Sequence, residues 1–393
     1  MTTIDACFYI KFAMYNLSGQ NKIMKTLKLR LKDKHSKQLN KVSAAVNFVW
    51  NYVNELSLKH LQRTGLFFSA YDIVAYIKGA GGELGLHSQT IQAIGEVHAK
   101  SRKQFKKAKL KWRSNHPKAK RRALGWIPFK KSAIKYIGTR QSDKKSLKST
   151  IQFSLAKGQK LTLDMWDSFN LSLYQINTCE LVQDKSGHWY ACITVKNHPK
   201  THPKPKCGTG QVGIDLGLKE AATTSSGDVL TIKQTHKWAK KLATAQRASN
   251  KNRARAINAK IKNTRKDIIH KFTTELVKNN ALIIVGDVKS RSFTSKKNKL
   301  AKSTYDAGWF EIKRQLEYKC KNAGCQFEIV NESYTTQTCS CCGSHCNSPK
   351  GREGLGIRKW TCECGVTHDC DINAARNILA VGLDRLAEGI PSV

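Results

Sequence analysis

Residues 211–232 read "QVGIDLGLKEAATTSSGDVLTI". The opening apolar run predicts a strand with Asp215 at its end, then a turn and two more short strands. Downstream, residues 236–272 form a long basic helical stretch, and no acid occurs from Val229 until Asp267. "LIIV" at 282–285 reads as the next strand, "AGWFEIKRQLEYKCKNAG" at 307–324 as a helix, and "CQFEIVNE" at 325–332 as a strand. A cysteine-rich insert and a helix, "DINAARNILAVGL" at 371–383, complete this half.

Three strands, helix, strand, helix, strand, helix is the element order of a ribonuclease-H-like fold. Two-metal cleavage of a phosphodiester needs carboxylates from separate elements to converge, because the two ions sit ~3.5–4 Å apart and bridge the attacking and leaving oxygens. Magnesium keeps several of its waters, so three acids suffice. Asp215 on the first strand and Asp371 at the last helix are candidates. Each has an ordinary alternative: a strand-end Asp caps a turn, and an Asp at a helix start is an N-cap. Their joint placement on this element order is more specific than either alone.

The half before residue 208 has a different texture. "TLKLRL" at 26–31 alternates like an edge or barrel strand. From Ser36 the period changes, and Leu39, Val42, Val46, Val49, Val53 and Leu56 predict an amphipathic helix ending near Gly65. A second helix is expected from Ser88, with Ile91, Ile94 and Val97 inward, running on into a tract where Arg102 to Arg122 hold eleven basic residues and no acid. With Phe105 and Trp112 interleaved, Lys106, Lys107, Lys109, Lys111, Arg113, Arg121 and Arg122 suit a phosphate-tracking surface; a solvated charged face is the plainer reading. From 133 to 197 the pattern is all β, and "DKSG" at 184–187 is a hairpin turn. The strand at 26–31 completes this barrel if the helices are an insertion in it. "NHPKTHPKPKC" at 197–207 marks a linker.

Lys and Arg outnumber Asp and Glu by 69 to 28, a net charge of +41, which calls for a polyanionic partner that releases counterions on binding. Nucleic acid fits. No stretch approaches the ~18 consecutive apolar residues of a spanning helix, and Asp5 precedes a short, broken apolar run, so neither a membrane span nor a signal peptide is read and a cytoplasmic location is expected. "MKTLKLRL" at 24–31 looks like a domain start, which makes residues 1–23 an appendage.

Seven of the thirteen cysteines lie between Cys339 and Cys370, a clustering that favours metal over disulfides. "TCSCCG" supplies Cys339 and Cys342, and "CECG" supplies Cys362 and Cys364 about twenty residues on. That is zinc-ribbon spacing. The second pair is one residue tighter than usual, which leaves Cys341, Cys346 and Cys370 as possible substitutes. Four thiolates leave no open position for water, so the zinc is read as structural.

"VGIDLGLKEAATTSSG", "YTTQTCSCCG", "IRKWTCECG" and "HDCDINAARNIL", in that order and spacing, resemble the RuvC-type nuclease domain of TnpB proteins. These are transposon-encoded RNA-guided DNA endonucleases, themselves similar to compact type V CRISPR effectors. The likeness is specific over about 208–385 and looser before, where "HSQTIQ" and "LGWIPFKKS" are segments of the same kind. It implies a multidomain α+β protein: an N-terminal β-barrel (wedge) with an inserted helical recognition domain, then an RNase H-like (RuvC) α/β domain with an inserted zinc ribbon. The expected boundaries are 1–35 for the extension and first barrel strand, 36–125 for the helical domain and 126–207 for the rest of the barrel and the linker. RuvC follows at 208–335, the ribbon at 336–367 and the last RuvC part at 368–393. The resemblance further implies Mg²⁺ and guide RNA as cofactors, guide RNA and target double-stranded DNA as partners, and a prokaryotic, nucleoid-associated setting. It leaves monomer or dimer open.

Asp215 and Asp371 match the family's first and third catalytic acids, with Asp369 two residues short of the latter. The family's second acid is a Glu at the end of the strand 282–285, and here that place is Gly286. Three readings compete. Asp287 serves through a bend, although adjacent strand residues face opposite ways. Glu332, ending the neighbouring strand, supplies the carboxylate, with Glu328 too deep to do so. Or no acid substitutes, and the protein is a guided DNA binder that does not cut. The favoured set is Asp215, Glu332 and Asp371 on Mg²⁺, with Arg358 on the scissile or an adjacent phosphate. A zinc-ribbon RNA-binding protein of housekeeping type would explain charge and cysteines but not the paired aspartates.

Overall fold

The computed structural model describes residues 24–116, 119, 122–141, 147–197, 205–288, 300–345 and 357–388. The appendage at 1–23, Arg121, Cys346 and most of the linker lie outside the described residues. The chain divides into two compact units, Met1–Pro203 and Lys204–Val393.

The first unit is built on a seven-stranded antiparallel sheet. Its strands are β1 (Met24–Leu31), β2 (Trp126–Phe129), β3 (Ile134–Gln141), β4 (Leu147–Ser154), β5 (Lys160–Asp167), β6 (Tyr174–Gln183) and β7 (Trp189–Asn197), in the spatial order β2-β6-β7-β1-β5-β4-β3. β1 is therefore central, between β7 and β5, and the 94 residues between it and β2 are an insertion. The sheet has to curl. β2 and β3 lie at opposite edges yet are joined by residues 130–133, and five residue steps reach at most ~17 Å. Six strand spacings laid flat would need ~29 Å. The result is a half-barrel whose inner face is lined by Leu27, Leu29, Leu31, Ile151, Phe153, Leu163, Met165, Leu181, Ile193 and Val195, all buried. The "DKSG" turn closes β6 onto β7, with Gly187 at φ 91° and its N–H on the Asp184 carbonyl at 3.1 Å.

The insertion holds α1 (Ser36–Thr64), α2 (Ala70–Ile77), α3 (Gly81–Leu84) and α4 (Ser88–Phe105). α1 ends on Gly65 in the left-handed region, as its period predicts. The short α2 and α3 carry too few periodic residues to be read beforehand. The expectation that α4 continues into the basic tract is corrected: Lys106 turns left-handed at φ 48°, and the chain beyond runs irregularly along α1. Three asparagines on α1 hold it there. Asn54 pairs with both the N–H and the carbonyl of Leu110, Asn51 does the same for Arg113, and Asn47 accepts from the Arg113 side chain at 2.9 Å. These bonds satisfy backbone groups that have no ladder partner.

The second unit carries a five-stranded sheet of β8 (Gly210–Asp215), β9 (Ala222–Thr224), β10 (Val229–Leu230), β11 (Asn280–Gly286) and β12 (Gln326–Val330), ordered β10-β9-β8-β11-β12. β8, β11 and β12 are parallel, while β9 and β10 turn back antiparallel. Between them come α5 (Gln234–Arg247), α6 (Lys251–Asn279), α7 (Ala301–Ala307) and α8 (Trp309–Ala323). A hairpin of β13 (Lys359–Thr361) and β14 (Thr367–Asp369) leads into α9 (Cys370–Ala387). Period-2 alternation sorts the sheet into two faces. Val212, Ile214, Ile283 and Val285 pack with Ile269, Leu276, Ile312 and Leu316 of α6 and α8, while Leu282, Ile284 and Val330 pack with Ile378 of α9. α9 approaches closely because Gly213 and Gly382 carry no side chain: a Cβ at either would overlap the Ala375 carbonyl or the Ile284 side chain.

Candidate active site

The parallel strands deliver their C-terminal ends to one rim, where a doubly covered α/β sheet places ligands. In the register, Val285 lies opposite Ile214 and Gly286 opposite Val330. One step further along sets Asp215 beside Gly286. Asp215, Gly286 and Val330 thus share the face covered by α9, and Glu332, two residues past Val330, keeps the same parity. Asp287 falls on the other face. There its carboxylate accepts from the Lys313 ammonium of α8 at 3.0 Å.

α9 adds Asp371 from above. Its first turn shows why two aspartates stand two residues apart. Asp369 is the N-cap, its Oδ1 accepting from the N–H groups of Asp371 and Ile372 at 3.1 and 3.2 Å. The reading of Asp371 as the cap is therefore corrected, and its carboxylate is left free of the helix backbone for Arg358. The loop after Asp215 is fixed by Trp309, whose indole N–H donates to the Gly217 carbonyl at 2.8 Å.

Electrostatics ties three acids together. Burial first, then the negative charges of Asp371 and Glu332, push the Asp215 carboxyl up to about 7, against the pull of the Leu216 N–H and Arg358. Burial raises Glu332 as well, with Asp287 adding to the rise and Lys313 opposing it. Asp371 is raised by burial and by Asp369, and lowered by Arg358. The repulsion felt at Asp215 is of the kind a divalent cation relieves.

Gly286 has a local reason to be glycine. A Cβ there would stand 2.9 Å from Oε2 of Glu332, 3.1 Å from Cδ1 of Ile378 and 3.3 Å from Cβ of Glu332. The Glu332 side chain lies in the space a side chain at 286 would enter. Glu328 shares that face but sits opposite Ile284, two residues further from the rim. The Glu332 main chain is held too: Thr335 donates to its carbonyl through N–H and hydroxyl at 3.2 and 2.8 Å. Asn373 and Asn377 of α9 hold the segment that follows, both donating to the Thr338 carbonyl, at 2.7 and 2.6 Å. Sequence reasoning missed these two asparagines, since an Asn on a helix that ends in a polar segment carries no period of its own.

The thiols of Cys339, Cys342, Cys362 and Cys364 lie within 4.8 Å of one another. Cys339 and Cys364 are 3.8 Å apart, Cys342 and Cys362 3.6 Å. A tetrahedral centre with metal–sulfur bonds of ~2.3 Å has its sulfurs ~3.8 Å apart, so the quartet fits structural zinc. Neither Cys341, which is exposed, nor Cys370, whose thiol donates to the Ile357 carbonyl at 3.2 Å, joins it. A neighbour unforeseen in the sequence is His368, buried, with Nε2 3.0 Å from the Cys339 sulfur and its ring against Trp360. Among the described residues, only the cysteines bring three or more ligand atoms within 4.8 Å of one another; the acids are spread wider. Arg358 is paired with Asp371, its Nη1 donating to both carboxylate oxygens at 2.9 and 3.0 Å.

In the first unit, the basic tract divides. Arg113 is turned inward, donating to Asn47 and to the Leu124 carbonyl and stacking over Trp50 and Trp126. Lys109 pairs with Glu55 at 3.1 Å. Lys106, Lys107, Lys111 and Arg122 are exposed. In the second unit, Lys240, Arg247, Arg253, Arg255 and Lys262 on α5 and α6 are exposed as well. Among the described residues no helix is long and apolar enough to cross a membrane.

Two family models match the chain: a "Cas12f1-like, TNB domain" over residues 309–378 and a "Probable transposase" over residues 192–296. A putative RNA-guided DNA endonuclease of Streptomyces pristinaespiralis is 34% identical over 225 residues, which is 54% of this chain and 54% of that protein. The putative RNA-guided DNA endonuclease InsQ of Escherichia coli (strain K12) is 33% identical over 236 residues, 53% of this chain and 57% of that one. The chain thus spans little more than half the length of these curated relatives. In fold it is similar to the protein of a Cas12f1-sgRNA-target DNA complex, with a TM-score of 0.57 at 15% identity over 91% of this chain and 99% of that one.

Proposed function

We propose that this chain, a relative of TnpB and Cas12f1-type proteins across its C-terminal unit, is a guide-RNA-dependent DNA endonuclease whose second catalytic acid is Glu332. The observation that carries this reading is the Glu332 carboxylate lying 2.9 Å from where a Cβ at 286 would stand, on the sheet face of Asp215, whose carboxyl feels its charge together with that of Asp371. When bound, two Mg²⁺ ions supply a water activated for attack and a charge to stabilise the leaving oxygen. Asp215, Glu332 and Asp371 are the residues to hold them, and Asp215 must give up its proton to do so. Asp287, committed to Lys313 on the opposite face, is not in the set.

Sequence would be read by base pairing, with the protein gripping the duplex through its backbone charges. Lys106, Lys107, Lys111 and Arg122 of the first unit and the exposed cations of α5 and α6 suit that role. The Cys339–Cys342–Cys362–Cys364 quartet would hold zinc and keep the β13–β14 hairpin folded. A cytoplasmic, nucleoid-associated protein is consistent with this partner set.

The test uses purified protein with its copurifying guide, Mg²⁺ and a plasmid carrying the matched sequence. Wild type is expected to cut, Glu332→Gln to bind without cutting, and the exchange Gly286→Glu with Glu332→Ala to recover cleavage. A plasmid that stays intact with the wild-type complex while being tightly bound would make the protein a guided binder instead.

A further inference from the structure

Arg358 sits at the junction of the two candidate metal sites. Its carbonyl accepts the Cys370 N–H at 2.8 Å, which continues the β13–β14 ladder to the base of the hairpin, and the cysteine quartet lies at the other end. Its side chain reaches across to the first turn of α9 and holds both Asp371 oxygens through one nitrogen. The pair is partly open to water, with side chains 39% and 29% exposed. Among the described residues, Asp371 is the only carboxylate that Arg358 pairs with.

A divalent cation would bind Asp371 through the same oxygens, at ~2.0–2.1 Å for magnesium. A guanidinium nitrogen hydrogen-bonded to both oxygens occupies one lone pair on each and adds a like charge beside the incoming ion. We propose that Arg358 and the divalent cation compete for Asp371, so that Arg358 sets the affinity of the acid site and must swing off the carboxylate as the cation binds. Once off, an arginine of this reach remains at the rim. The hairpin anchors its main chain, so only the side chain needs to move. The inference rests on the proposed acid site but concerns a different quantity, cation affinity and not cleavage.

The experiment is a Mn²⁺ titration of the full-length zinc-loaded protein, with free Mn²⁺ followed by electron paramagnetic resonance, for wild type, Arg358→Gln and Asp371→Asn. Arg358→Gln should bind Mn²⁺ roughly two- to fivefold more tightly, the scale of a partly exposed ion pair, with one zinc per chain retained. A merely structural arginine would give the opposite sign, since its removal loosens the site. Affinity in Arg358→Gln equal to or weaker than wild type overturns the competition alone. Absence of any Mn²⁺ site that Asp371→Asn removes overturns both it and the acid site beneath it.

Discussion

The second unit holds two candidate ligand sets almost back to back, Cys370 separating the hairpin of one from Asp371 of the other, and they are built on opposite principles. The four thiols come from two short turns of one local substructure and stand within 4.8 Å of one another. The three carboxylates come from the end of β8, the stretch beyond β12 and the start of α9 and are spread wider; the charges of Asp371 and Glu332 are both felt at Asp215, and Arg358 is drawn onto Asp371. Neutral thiols can approach without an ion present; carboxylates on separate elements resist it. The quartet is thus positioned by local chain geometry, whereas the acids depend on the whole sheet being in register.

That contrast is broken most severely at the quartet. Cys362→Ser should lower the zinc content from one per chain to near zero by elemental analysis, because a small hairpin with almost no core of its own depends on the metal for its folding energy. Far-ultraviolet circular dichroism should change little, since the five-stranded sheet has separate cores on its two faces. Full retention of zinc in this variant would mean that another group, such as the His368 imidazole 3.0 Å from the Cys339 sulfur, completes the shell.

The next largest effect belongs to the acids. Glu332→Gln should reduce cleavage by at least ~10²-fold, the loss of a charge that stabilises the transition state through the ions. Asp287→Asn should stay within about threefold of wild type and cost no more than ~1 kcal/mol, the value of a partly exposed ion pair. Gel assays of plasmid cutting separate the two. The reverse ranking would move the second acid to the α8 face.

How much of this is legible in the residues follows the same divide. The strand end at Asp215, the hairpin at 184–187 and the cysteine spacing are local signals that lie in the structure where they stand in the sequence, while the strand read to 285 runs one residue further, to Gly286. The rank of Glu332 over Asp287 comes from parity, which needs the parallel register of β11 and β12. Other features leave no periodic trace. The asparagines 47, 51 and 54 that pin residues 110–113 act across 56 to 66 positions of sequence, and Arg113, read as a phosphate contact, is spent inside that arrangement. The capping by Asp369 in place of Asp371 turns on two residues, finer than helix boundaries can be placed from pattern alone.

Acidity sharpens the comparison further. Asp215 is held at about 7, well above its ordinary 3.8, so near neutral pH its carboxyl is half protonated. A cation must displace that proton, and affinity for Mn²⁺ should fall by up to tenfold per unit as pH drops below 7. Folding stability runs the other way. Between pH 4 and 7 the unfolded chain has already released this proton while the folded one keeps it, so without divalent cation the second unit should lose up to a few kcal/mol as pH rises through that window. Denaturant melts at pH 5 and pH 8, with and without Mn²⁺, should show the order of stability invert when the ion is added.

The smallest effect is the most local. In Gly286→Ala the new methyl would meet Oε2 of Glu332 at 2.9 Å and Cδ1 of Ile378 at 3.1 Å. Both are the far ends of side chains and can give way, and Cβ of Glu332 at 3.3 Å needs only a few tenths of an ångström, so the protein should fold, with a loss of about 1 kcal/mol typical of mild overpacking. The Glu332 carboxylate, however, has to shift by a few tenths of an ångström, and at a site where cation geometry is strict that should weaken Mn²⁺ binding a few-fold without abolishing it. Pairing the substitution with Glu332→Asp, whose shorter side chain makes room for the methyl, tests the cause. If contact between 286 and 332 is what weakens binding, the two changes are less than additive in Mn²⁺ affinity; strict additivity would mean that position 286 acts on the site through the strand and not through Glu332.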